Sequence, residues 1–143
     1  MISITTSLTF NDRVDDQLKK AAWQMVVTAT NIVRNRAIVL VSKPAKRIRR
    51  VRTRSTSKGK KGSQYTEYAG SNPGQPPQVR TGHGRKNVAI EEHQAQLMTR
   101  LGVRKSAAYM AYLELGTSRI AARPWLVRAL KETEGVLRTL RLP

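Results

Sequence analysis

From Gln17 to Thr66 the chain contains no aspartate or glutamate, yet ten lysines and arginines fall between Lys43 and Gly62. Cations at that density cannot enter a dry interior, because a buried charge without a partner is driven back to water by its desolvation cost. The run must therefore stay at the surface. Whatever core exists has to be assembled from the segments on either side of it.

With 143 residues, the chain suffices for one domain with a modest core. Its hydrophobic share is 39 % and its aromatic share 5 %, below the globular average, so part of the chain stands outside the core. No cysteine is present, which removes disulfides and thiolate zinc as substitutes for core size and leaves oligomerisation. No apolar run approaches the roughly 20 residues that span a bilayer. The opening MISITTSLTF lacks the basic start and apolar run of a secretory signal, so a soluble protein made in a cytoplasm is expected.

Ile2, Ile4, Leu8 and Phe10 alternate approximately, which predicts a short strand or arm over 1–10. Asn11 and Asp12 can cap a helix, with Asp15 and Asp16 in its first turns where the macrodipole favours negative charge. Apolar spacing through Val14, Leu18, Ala21, Met25, Ala29, Ile32, Val33, Ala37 and Leu40 predicts a long helix over 11–42. Lys43-Pro44 ends it, since the residue before proline is pushed out of the helical region.

Residues 43–80 read as a basic extended loop too polar and too rich in glycine and proline to order itself. Ile48 and Val51 hint that it holds a β-hairpin. In 81–143, RKNVAIEEH and AQLMTRLGVR predict a hairpin turning between Glu92 and Ala95. Val88, Ile90, Leu97 or Met98, Leu101 and Val103 are its inward candidates. SAAYMAYLELGT predicts a short helix with Tyr109, Tyr112 and Leu113 on one face and Gly116 as its stop. Pro124, as a first-turn residue, opens a last helix with Trp125, Leu126, Ala129, Leu130, Val136 or Leu137, and Leu140 on one side. The expected fold is α+β, one domain over 1–143: a long N-terminal helix and a C-terminal helix packed on a small antiparallel sheet, with a long basic loop or hairpin inserted.

Catalysis requires polar groups that converge. His83 and His93 are ten residues apart, and a metal site there would need other ligands. Glu91 and Glu92, adjacent on a predicted strand, point to opposite faces and cannot act as a pair on one bond. GSNPG and TGHG match neither a phosphate loop nor a dinucleotide turn. The expectation is no enzyme, no cofactor and no metal. Glu114 sits in apolar surroundings, either as a solvated charge or in a structural ion pair with Arg119 or Arg123.

The net charge of +18 attracts polyanions, of which nucleic acid is the commonest, although an anionic membrane or an acidic protein satisfies the same physics. Candidate contacts to DNA or an acidic partner are Lys46, Arg47, Arg49, Arg50, Arg52, Arg54, Lys58, Lys60 and Lys61. Tyr65 and Tyr68 could stack on bases. Binding of this kind is insensitive to sequence and sensitive to salt.

Two blocks, GQPPQVRTGHGRKNV and AAYMAYLELGTSRIAARPWLVRAL, resemble the tail-completion and head-to-tail joining proteins, the neck and minor tail proteins, of lambda-like tailed bacteriophages. The resemblance rests on Pro77, Thr81 and Gly82 in the first block. In the second it rests on Tyr109, Tyr112, Glu114, Gly116, Thr117, Arg123, Pro124 and Trp125. It covers 74–137 well and 13–42 weakly, and omits the basic loop. At His83 to Arg85 the chain departs from the family, which more often has a hydrophobic residue and an arginine there.

What the resemblance implies is a non-enzymatic virion protein of the neck or tail, assembled in the host cytoplasm. Six copies would form a ring between the head connector or adaptor and the tail terminator or tube protein, with genomic double-stranded DNA in the lumen. The family residues would then serve structure and interface. The alternative reading is a sequence-independent nucleic-acid-binding protein that uses the basic loop.

Overall fold

The computed structural model describes residues 4–7, 16–56 and 59–141. The expected cap at Asn11 and Asp12 lies outside them, as do Val14, Leu8 and Phe10. The fold is α+β, with long N-terminal and C-terminal helices against small antiparallel sheets. Strand β1 (Ile4–Ser7) precedes α1 (Asp16–Leu40). Strands β2 (Arg47–Thr56) and β3 (Gly59–Tyr68) follow, then a one-turn helix α2 (His83–Lys86). Strands β4 (Val88–His93) and β5 (Met98–Val103), the short α3 (Tyr109–Leu115) and α4 (Leu126–Thr139) complete the order.

The main sheet runs β1-β5-β4, antiparallel throughout, with β5 in the centre. Ile4 lies opposite Leu101, and Leu101 opposite Ile90. Thr99, Leu101 and Val103 alternate along β5 and are all buried, the period-2 pattern of a strand with one face on the core. α1 and α4 pack on this side of the sheet and against each other. Val33, Ala37 and Leu40 of α1, Leu101 and Val103 of β5, and Leu126 and Ala129 of α4 share one core cluster. Full burial of one such aliphatic side chain contributes roughly 1.5–3 kcal/mol.

The buried face of α1 is Ala22, Val26, Thr30, Val33, Ala37 and Leu40. Its C-terminal half is the predicted stripe, but its N-terminal half is displaced by one position from the predicted Ala21, Met25 and Ala29. The cause is the pairing of the Thr30 and Thr99 hydroxyls, 2.5 Å apart. Thr30 Oγ1 also donates to the Val26 carbonyl at 2.9 Å, so its single proton is used there and Thr99 must donate to Thr30. Ala22 and Ala37 on this face are fully buried.

Of the two expectations for residues 43–80, an extended loop or a hairpin, the chain forms the hairpin. β2 and β3 pair over ten positions, from Arg47 opposite Tyr68 to Thr56 opposite Gly59, a ribbon of roughly 33 Å at 3.3 Å per residue. Cross-strand backbone hydrogen bonds join this cationic pair of strands. The base of the ribbon is tied down: Ala69 N–H donates to the Lys46 carbonyl at 2.9 Å, Ala45 N–H donates to the Val79 carbonyl at 3.1 Å, and Val79 N–H donates to the Lys43 carbonyl at 2.8 Å.

The second hairpin starts later than predicted. His83–Lys86 form α2, so the strand begins at Val88, and Gly82, at φ +77, provides the left-handed residue that enters α2. The turn is a 3₁₀ segment at Gln94–Gln96, with Leu97 at φ +47. Of the inward candidates, Val88, Leu101 and Val103 are buried, while Ile90, Leu97 and Met98 are partly so.

Along α4, Trp125, Leu126, Ala129 and Thr133 are buried, and Leu130, Leu137 and Leu140 are half-buried. Val136 is exposed, so Leu137 is the inward choice of that pair. No helix among the described residues is long and apolar enough to cross a membrane.

Candidate functional site

Glu114 resolves differently from either expectation. It is 5 % exposed, so it is not a solvated charge, and no described arginine pairs with it. Its Oε2 accepts the backbone N–H groups of Trp125 at 2.6 Å and Leu126 at 2.9 Å, and its Oε1 accepts that of Val127 at 2.9 Å. These are the amides that open α4, which has no intrahelical partners for them. Neither Pro124 nor Trp125 has a capping side chain, so the carboxylate from α3 supplies the cap and places negative charge at the positive end of the helix. Trp125 returns a bond, its Nε1–H donating to the Met110 carbonyl at 3.2 Å.

Pro124 consequently stands one residue before the cap position of α4 and not in its first turn. The segment between the helices is shaped by Gly116 and Thr117. Gly116 stops α3 at φ +78 and ψ 173, a region that glycine alone visits freely. A Cβ there would stand 2.9 Å from the Ala122 nitrogen and 3.0 Å from the Ile120 carbonyl. Thr117 Oγ1 accepts the N–H groups of Arg119 and Ile120 at 3.3 and 3.1 Å. The block from Tyr109 to Trp125 is thus an internal clasp between α3 and α4.

The predicted face of α3 is also corrected. Met110 and Glu114 are its buried residues. Tyr109 is exposed, Tyr112 is 59 % exposed, and Leu115 is 73 % exposed. These three, spaced i, i+3 and i+6, form an apolar row on the outside of the helix.

Ribbon register decides which of the predicted cations stand together. Successive strand residues alternate between faces. One face therefore takes Arg50, Arg52 and Arg54 on β2, with Tyr65 and Lys61 opposite Arg50 and Arg54. Arg47 and Arg49 take the other, together with Lys60 opposite Ser55. Lys46 precedes the ribbon, and Lys58 lies outside the described residues. Glu67, the only carboxylate of the ribbon sequence, pairs with Arg50. Tyr68 is not a free stacking surface, because the Arg47 and Arg80 guanidiniums lie 6.0 and 5.7 Å from its ring centroid. Tyr65 is exposed.

A cleft of about 540 Å³ opens where the ribbon base, the 77–85 segment and α3 meet. It brings together Pro77, Thr81, Gly82, Tyr109 and Arg123, which belong to both blocks of the sequence resemblance. Sequence reasoning missed Ser71, Arg80 and Arg85 as parts of it. The signal for them was the absence of any acidic residue between Glu67 and Glu91, which leaves these arginines without local partners. His83 is exposed, its Nε2 lies 3.0 Å from the Ser106 carbonyl, and its ring stacks on Tyr109. His93 ends β4 and is exposed. Glu91 lies opposite Arg100 in register, and Glu92 opposite Thr99. Among the described residues no group of three His, Cys, Asp or Glu side chains is placed to hold a metal ion.

Comparison with protein-family models, curated proteins and solved structures finds no match to this chain.

Proposed function

We propose that this protein is a non-enzymatic structural subunit of a tailed-phage particle, a neck or tail-completion protein that closes into a ring of six copies at the head-to-tail joint. The observation that carries the reading is the outward row of Tyr109, Tyr112 and Leu115 on α3. A helix this short, with large apolar side chains turned to solvent, marks a surface that a neighbouring chain covers. The row lies within the block that resembles the family, and the Glu114 clasp holds it rigid from behind.

A head-to-tail contact between one copy's α3 and a different face of the next closes into a ring when the rotation between copies allows it. In such a ring the basic ribbon supplies cations either to duplex DNA in the lumen or to an acidic connector. Particles assembled with an epitope-tagged copy test this reading by electron-micrograph averaging. Ring-shaped tag density at the neck supports it, and absence of the chain from purified particles overturns it.

Sequence-independent binding of nucleic acid is the second reading, favoured by the backbone register that sets Arg50 opposite exposed Tyr65 and Arg54 opposite Lys61. Duplex affinity measured against salt for the wild type and for a variant with Arg49, Arg50, Arg52 and Arg54 all changed to Ser separates the two. Tight binding by the free monomer that the variant loses while assembly persists favours this second reading.

A further inference from the structure

The cleft at the ribbon base is electrostatically one-sided. Arg80, Arg85 and Arg123 line it, and no aspartate or glutamate does. Among the described residues none of these arginines forms a salt bridge, although Arg36, Arg50, Arg128 and Arg138 all do. Two buried polar atoms of the cleft, Ser71 Oγ and Arg123 Nε, have no hydrogen-bond partner among the described residues. Ser71 is 7 % exposed. Buried donors left without acceptors are rare in folded proteins and costly to maintain.

Arg123 is held in place by the backbone. Its N–H donates to the Leu113 carbonyl at 2.6 Å, and the neighbouring Ala122 carbonyl accepts from Gly74 at 2.9 Å. Its guanidinium rests against Gly70, with Nη1 3.4 Å from where a Cβ would stand. The guanidinium thus reaches from the α3–α4 connection to the exit of the ribbon.

We infer that this cleft is a binding site for an acidic peptide segment of a partner protein, whose carboxylate is received by Arg123 and Ser71 with Arg80 and Arg85 at the rim. A planar guanidinium donates two parallel N–H bonds to a carboxylate. The remaining lining, Val41, Val79, Met110 and Leu113, accommodates aliphatic side chains next to that carboxylate. A volume of about 540 Å³ suits a few residues of peptide and excludes a duplex. The two aromatic rings of the lining, Tyr109 and His83, are stacked on each other and so do not offer the open stacking platform that a nucleic-acid strand uses. The inference does not depend on ring formation.

Fluorescence anisotropy with a short labelled peptide that alternates glutamate and leucine, at about 0.15 M ionic strength, tests the site on the full chain. Arg123→Gln should weaken binding by about tenfold or more, the loss expected for one charge-assisted pair. Ser71→Ala should weaken it less. The variant with Lys19 and Lys20 both changed to Ser, exposed cations at the far end of α1 from the cleft, should bind within about threefold of wild type, as expected for charges more than a Debye length from the contact. Chemical-shift changes at the amides of Gly70, Ser71 and Arg123 should accompany binding, and they serve as the readout if Arg123→Gln perturbs folding. Four results overturn the inference: no peptide binding by the wild type, loss of binding in the Lys19 and Lys20 variant, equal competition by inorganic phosphate, or tighter binding of a single-stranded oligonucleotide.

Discussion

Glu114 and Trp125 are joined twice: the carboxylate of Glu114 accepts the Trp125 backbone N–H at 2.6 Å, and the Trp125 indole binds back to the helix that carries Glu114, at the Met110 carbonyl. One acidic side chain thereby fixes both the start of α4 and its angle to α3. Because the carboxylate satisfies three amides, Glu114→Ala should cost more than an ordinary capping substitution, about 2–4 kcal/mol of unfolding free energy. Glu114→Gln should cost less, since its amide oxygen still accepts but without charge. Urea denaturation of the two variants measures this, and a Glu114→Ala loss below about 0.5 kcal/mol, the scale of an ordinary surface change, would remove the clasp from the account.

The hydroxyl pair between α1 and β5 predicts an asymmetry. Thr30→Val strands the Thr99 hydroxyl, a donor at 0 % exposure, and should cost about 1–3 kcal/mol. Thr99→Val leaves Thr30 donating to the Val26 carbonyl and should cost only about 0.5–1.5 kcal/mol. The double variant should lose less than the sum of the two, which a double-mutant cycle in denaturant reads directly.

At Gly116 the positive φ and the 2.9 Å approach of the Ala122 nitrogen act together. Gly116→Ala should destabilise by about 2 kcal/mol or more. Gly135→Ala is the control. It lies within α4 with nothing near its Cβ position, and alanine there should be neutral or stabilise by about 0.5–1 kcal/mol. Thermal melts of the two variants should move in opposite directions.

Glu132 joins the two long helices, accepting from Arg36 of α1 at 2.6 Å and from Arg128 of its own helix at 3.0 Å. Hydrogen bonds from Arg128 first and Arg36 second hold its pKa below the ordinary value of 4.5. A carboxyl with a lowered folded pKa stabilises the protein fully above the ordinary value, and the effect is lost as pH falls through the lowered one. The stability difference between wild type and Glu132→Gln should therefore be constant near neutrality and shrink below about pH 4.5. Titration by nuclear magnetic resonance should show the Glu132 midpoint rising when Arg128 is changed to Ala.

Much of the fold is legible in the sequence because it is written in spacing. The period of α1, the alternation in β5 and the stop at Gly116 all follow from where apolar and small residues fall. The phase of α1 does not, since Ala21, Ala22, Met25, Val26 and Val27 are apolar nearly all round, and only the hydroxyl partner on β5 selects which face turns inward. The ribbon is only faintly legible for a related reason. Its order comes from backbone pairing, which leaves almost no trace in composition beyond Ile48 and Val51. The partner of Glu114 is eleven residues away in sequence and is a set of backbone amides, not a side chain. Its one signal is negative: no Ser, Thr, Asp or Asn stands at Pro124 or Trp125 to cap the helix that follows. Arg123 and Tyr109 carry the sequence resemblance, but their meeting with Ser71 across the cleft requires the folded chain.

Native mass spectrometry of the purified chain, beside a Leu115→Glu variant, tests ring assembly through α3 most directly. A single closed species of defined copy number, reduced to monomer in the folded variant, is the predicted result. A wild type that stays monomeric at every concentration and in the presence of its particle partners would contradict it.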